Sequence, residues 1–162
     1  MSIHVYENNY IVNALDFVRR HGDRIFVKSD GARTSFKYTA TVYGVSNKFS
    51  SKSDPTRNAL KVDQETPHKA VDVILRDYVK IIKQKFDINS NLQNDDFILN
   101  ALDSVCANGD FMLIIANELI EPLPYSVLIG GCKHRFEVIN LNGDILNEVV
   151  TEALATYKQV IE

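Results

Sequence analysis

NYIVNALDFVRRHGD (9–23) and DFILNALDSVCANGD (96–110) write nearly the same segment twice, 87 positions apart. From Tyr10 to Asp23 against Phe97 to Asp110, eight of fourteen positions are identical: Ile11/Ile98, Asn13/Asn100, Ala14/Ala101, Leu15/Leu102, Asp16/Asp103, Val18/Val105, Gly22/Gly109 and Asp23/Asp110. Ordinary residue frequencies would produce roughly one. Tyr10, Ile11, Ala14, Leu15 and Val18 recur at helical spacing, as do Phe97, Ile98, Ala101, Leu102 and Val105. Each segment therefore reads as an amphipathic helix. Asn8 or Asn9 caps the first and Asn94 or Asp95 the second. Gly22 and Gly109 end them in the left-handed conformation.

The offset of 87 runs on through Tyr38/Tyr125 and Gly44/Gly131 to Phe49/Phe136. It then becomes 79, aligning Leu60 with Ile139, Val62 with Leu141, Ala70 with Val149, Leu75 with Leu154, Tyr78 with Tyr157 and Ile82 with Ile161. The shift places an insertion in SNKFSSKSDPTR (46–57). Strands are expected at 24–29, 35–45 and 58–62, and again at 111–116, 125–131 and 135–141, with turn chemistry at Asp30-Gly31 and Pro122 to Pro124. A closing helix is expected from Pro67, capped by Thr66, to about Phe86, and another from a cap at Asp144 to near Ile161. The expected fold is α+β: an internal duplication of a helix-strand-strand-strand-helix unit. Each unit would be a three-stranded antiparallel sheet with two helices packed on one face. The organisation is a basic N-terminal repeat, 1–87, with the inserted loop 46–57, a linker, 88–94, and an acidic C-terminal repeat, 95–162.

The chain has 162 residues, 45% of them hydrophobic, enough for a packed core. Its net charge of −3 hides an asymmetry. Residues 1–87 carry 15 Lys+Arg against 10 Asp+Glu, whereas 88–162 carry 3 against 11. Such halves have different partners or attract one another. No run of 18 apolar residues is present, so no membrane span is expected. MSIHVYENNY is not patterned as an export signal, and a cytoplasmic location is expected. Cys106 and Cys132 are then reduced thiols, with no ligand spacing for structural zinc and no cofactor expected.

Cys132 and His134 in GGCKHRF could pair as nucleophile and base, but no orienting third group is legible, so a structural role is expected. His21 and Asp23 read as helix-stop chemistry, Gly130-Gly131 matches no phosphate-binding loop, and Glu118 and Glu121 alone make no metal site. No catalytic residue is assigned, and the protein is expected not to be an enzyme. Asn13 and Asp16 lie opposite the apolar stripe yet recur as Asn100 and Asp103, which marks a partner contact used twice, incomplete drift after duplication, or local helix solvation. With Arg19 and Arg20, and with Lys48, Lys52 and Arg57 of the inserted loop, they form the expected partner-binding set. The strands FMLIIA and YSVLIGG are apolar on nearly every residue, so one side of a sheet covered by helices on the other would stay exposed. Met112, Ile114, Val127 and Ile129 are the expected interface of a homodimer built through the C-terminal repeat.

The element order is shared with double-stranded-RNA-binding domains. Their phosphate-gripping basic cluster at the last helix is missing here, where the chain reads QETPHKA and NGDILNE, so that likeness is topological only. Duplicated small modules of opposite charge and an apolar sheet point to a protein-binding inhibitor or adaptor. The +5 half points alternatively to nucleic acid, whose binding would fall steeply with salt. In length and whole-chain character the sequence resembles small bacteriophage host-takeover proteins, in particular phage inhibitors of the host Lon protease. That resemblance implies binding to an ATP-dependent protease assembly in the host cytoplasm and occlusion of its substrates.

Overall fold

In the computed structural model, residues 10–44, 59–83, 96–117 and 123–162 are described. The inserted loop with Lys48, Lys52 and Arg57, the linker 88–94 and the helix caps at Asn8, Asn9, Asn94 and Asp95 lie outside them. The chain is α+β, with elements α1 (Tyr10–Arg20), β1 (Arg24–Asp30), β2 (Tyr38–Tyr43), β3 (Ala59–Gln64), α2 (Pro67–Ile82), α3 (Asp96–Ala107), β4 (Phe111–Asn117), β5 (Tyr125–Gly130), β6 (Ile139–Gly143) and α4 (Leu146–Ile161).

The helix signals act as the sequence specifies. α1 buries Ile11, Ala14, Leu15 and Val18, one stripe of the 3.6-residue period. Gly22 and Gly109 adopt φ of 80° and 88°, and Asp23 N–H and Asp110 N–H close back on the Val18 and Val105 carbonyls at 3.3 and 3.2 Å. This is the six-to-one bond of a Schellman stop, which glycine enters without Cβ strain. Thr66 accepts from Lys69 N–H at 3.1 Å, and Pro67 opens α2. α4 differs from expectation. Ile145, not Asp144, is its cap residue and makes no side-chain bond.

The six strands form one antiparallel sheet in the order β3-β2-β1-β4-β5-β6, which reads the same from either edge. This corrects the expectation of a separate three-stranded sheet in each half. β1 and β4 pair through their free edges, with Val27 opposite Ile114. Those residues are 87 apart, so the two strands meet as equivalent strands would about a two-fold axis. Joining them abolishes two sheet edges that would otherwise present unpaired N–H and C=O groups. Two strands are shifted from their expected places. β2 begins at Tyr38 rather than 35, because Phe36 sits at φ 49° and interrupts the extended chain. β6 begins at Ile139 rather than 135, because residues 131–134 fold into a turn.

All four helices contact the sheet, α1 and α3 over β1 and β4, α2 over β2 and β3, and α4 over β5 and β6. Beneath them lie Ile25, Val27, Ala40, Val42, Met112, Ile114, Val127 and Ile129, each fully buried. A fully buried Ile or Val stabilises the fold by roughly 1.5–3 kcal/mol relative to exposure, so these rows dominate the seam between the halves. The alternate residues of the same strands, Phe26, Lys28, Leu113, Ile115 and Leu128, are only half-buried and point to the face that no described helix covers. The expected homodimer residues Met112, Ile114, Val127 and Ile129 are therefore placed on the wrong side. They form the chain's own core and offer nothing to a second chain. A register one residue away exposes their neighbours instead.

Candidate functional site

Of the polar residues that recur in both halves, Asp16 and Asp103 bond across the halves, whereas Asn100 is exposed. Tyr125 O–H of β5 donates to Asp16 on α1 at 3.4 Å, and Tyr38 O–H of β2 donates to Asp103 on α3. Asp16 and Asp103 are 87 apart, as are Tyr38 and Tyr125, so each half's tyrosine reaches the other half's helix. Burial, then the Asp103 carboxylate, push the Tyr38 phenol well above its usual range. Asp16 also holds Arg19 at 2.8 Å and Arg20 at 2.6 Å, and the Arg19 guanidinium lies 6.0 Å from the Tyr125 ring centroid. Of the expected partner-binding residues, Asp16 and Arg19 are thus committed to the seam and Asn13 is half-buried beside them. Arg20 remains largely exposed, its side chain at 45%. Asp16 and Asp103, half of the contact expected to be used twice, join the two halves of the chain. The recurrence of Tyr38 and Tyr125 at the helix offset was the signal that could have revealed it.

A second pair of equivalents lies deeper. Tyr78 O–H donates to Asp23 at 2.5 Å, and Tyr157 O–H donates to Asp110 at 2.8 Å. Both carboxylates are fully buried. Asp110 has a larger role, because its Oδ1 also accepts the backbone N–H groups of Cys132, Lys133 and His134 at 2.9, 2.9 and 3.0 Å. His134 Nδ1 lies 2.7 Å from its Oδ2. Burial by itself would raise the Asp110 carboxyl. The donors from His134, Tyr157 and Cys132 outweigh it and hold the group at about 2.

Asp110 is therefore the orienting acid that the sequence did not reveal beside Cys132 and His134. Burial, followed by the charges of Asp30 and Asp110, push the Cys132 thiol upward, whereas a reactive cysteine needs its thiolate favoured. The arrangement is a clamp on the turn before β6. His21 is likewise structural, with Nδ1 2.8 Å from the Phe17 carbonyl oxygen and its ring 4.5 Å from the Phe17 ring. Among the described residues, no three His, Cys, Asp or Glu side chains are grouped to hold a metal ion. Among them, too, no helix is long and apolar enough to cross a membrane.

What remains is the face of the sheet that no described helix covers. Strand pairing aligns its rows across both halves. Lys61, Thr41, Phe26, Ile115, Ser126 and Asn142 form one row. Asp63, Thr39, Lys28, Leu113, Leu128 and Asn140 form the next. Arg24, Tyr43 and Asn117 border one end, and Asp30, Phe111 and Gly130 the other. Phe26 packs against Tyr43 with centroids 5.1 Å apart, and the Lys28 ammonium lies 5.2 Å from the Phe111 centroid. A Cβ at Gly130 would come within 2.2 Å of the Phe111 ring, so glycine is what lets that ring lie on the sheet. Asp30 and Asp63 are both bound by Arg33, at 3.6 and 3.1 Å, and Thr39 O–H donates to Asp63 at 2.5 Å. The Thr39 hydroxyl first, and Arg33 after it, hold the Asp63 carboxyl below its ordinary value. No protein-family model matches the chain, and comparison with curated proteins and with solved structures finds no match either.

Proposed function

We propose that this protein is a non-enzymatic, protein-binding inhibitor, made by internal duplication of a helix-strand-strand-strand-helix unit. It docks through the open face of its sheet and occludes a macromolecular machine. One observation carries the reading. Beneath the helices, residues related by the offsets keep their character: Ile25/Met112, Val27/Ile114, Tyr38/Tyr125, Val42/Ile129 and Val62/Leu141. On the open face, every charged strand residue of the first half meets an uncharged one in the second: Arg24/Phe111, Lys28/Ile115, Asp30/Asn117, Lys61/Asn140 and Asp63/Asn142. The scaffold is held constant while one face changes its chemistry. A half-buried apolar centre with a polar border is the anatomy of a protein interface.

The resemblance to phage inhibitors of Lon supplies the partner class, an ATP-dependent protease whose substrate access is blocked. The test is degradation of fluorescent casein by a purified Lon-type hexamer. The chain should slow degradation at micromolar concentration. A Leu113→Asp/Leu128→Asp variant with an unchanged circular dichroism spectrum should not. Undiminished proteolysis at a large excess of the wild-type chain would remove the protease from the reading.

A further inference from the structure

We infer that the surface recognised by the open face is a polypeptide that is both apolar and acidic. The inference rests on the reading of that face as a protein-docking surface. It follows from where the charge lies. The whole chain is net negative at −3, and its second half carries 11 Asp+Glu against 3 Lys+Arg. Yet β4, β5 and β6 present only Phe111, Leu113, Ile115, Asn117, Ser126, Leu128, Gly130, Asn140 and Asn142 to the open side, without one acid. Of the second half's described acids, Asp103 lies at the seam, Asp110 is buried, Glu148 and Glu152 lie on α4, and Asp96, Glu137, Asp144 and Glu162 lie outside the strands.

The first half adds Arg24, Lys28 and Lys61 to the face, with Arg33 at its end. It adds two carboxylates, Asp30 and Asp63, which Arg33 already engages. Four cations against three carboxylates, with Glu65 accepting the Phe36 N–H at the Arg33 end, leave the face positive by one charge on a negative molecule.

The apolar centre argues against nucleic acid as the anion. Leu113, Ile115 and Leu128 are aliphatic. Of the three aromatics, Phe26 is half-buried against Tyr43, Phe111 is half-buried beside the Lys28 ammonium, and only Tyr43, at the border, is exposed. Successive bases stack on several exposed rings, not on one. An acidic polypeptide with apolar side chains complements both the centre and the rim, and its encounter is accelerated by the opposite charge.

The test uses the full chain and four soluble probes: a random glutamate–tyrosine copolymer, polyglutamate, a lysine–tyrosine copolymer and oligo-dT. The glutamate–tyrosine copolymer should bind at least ten-fold more tightly than each of the others, and more weakly as salt rises. Lys28→Glu/Lys61→Glu should weaken it at least ten-fold, and Lys28→Gln/Lys61→Gln, which serves if charge reversal impairs folding, by a smaller factor. Equal binding of polyglutamate, preference for the lysine copolymer, tighter binding of oligo-dT, or no copolymer binding would each overturn the inference. Copolymer preference without protease inhibition would remove the protease reading alone. Inhibition without copolymer preference would remove this inference alone.

Discussion

Asp110 is fully buried; one of its oxygens accepts hydrogen bonds from three successive backbone N–H groups and the other from a tyrosine and a histidine ring. Its carboxyl is held at about 2, below the ordinary 3.8. A depressed carboxyl stabilises the fold fully above its unfolded value, and the contribution is lost as pH falls through the folded one. A difference of this size is roughly 2 kcal/mol. The wild-type urea midpoint should therefore decline between about pH 4 and pH 2. Asp110→Asn should be less stable at pH 7 by about 2 kcal/mol and should lack that part of the decline. An undiminished acid limb in the variant would refute the assignment. At the seam, Tyr38→Phe removes a donor to Asp103 and Tyr125→Phe a longer bond to Asp16. Equilibrium denaturation should show a loss of about 1 kcal/mol for the first and less for the second. A neutral Tyr38→Phe would mean that the reciprocal bonds do not hold the halves.

Among the elements, β5 shows how closely side-chain size is matched to the open face. Gly130 stands where its counterpart in the first half is Tyr43, and the Phe111 ring occupies the space a side chain would need. Gly130→Val should lift that ring from the sheet and cost about 1–3 kcal/mol. Nuclear magnetic resonance would report it as loss of the ring-current shift on the Lys28 side chain, and an unchanged shift would contradict the packing.

The helices were legible because their signals are local: the stripe of α1, the stop at Gly22, the cap at Thr66. The β1–β4 pairing was not, since nothing in RIFVKS or FMLIIA declares which edge meets which. The doubly apolar strands were recognised, but their faces were reversed. Met112 and Ile114 alternate with Leu113 and Ile115, and apolarity on both sides removes the alternation that would tell inside from outside. Asp110 escaped notice because its partners lie 22 to 47 residues along the chain.

At the scale of the molecule, the β1–β4 seam decides whether the chain is one folding unit or two. Two repeats of about 70 residues, each with its own sheet, would open separately. A single sheet with its centre at the Val27–Ile114 pair makes each half the other's missing neighbour. Both residues are fully buried, and α1 and α3 each contact both central strands. Cutting the seam would expose core from both halves at once, so neither half keeps its stability without the other. Ile114→Ala discriminates between the two cases. It should cost about 2–5 kcal/mol by leaving a cavity at the axis. If the halves opened independently, that loss would accelerate amide exchange in β5 and leave β2 unchanged. In one cooperative sheet, the slowest amides of β2 and β5 should accelerate by the same factor. That factor is at least about 30-fold for the smallest loss, since each 1.4 kcal/mol is about ten-fold. Exchange measured by mass spectrometry on peptides from each half would show which holds. Acceleration confined to β5 would mean that the palindromic sheet is an assembly of two autonomous units, and that the open face can separate along its middle.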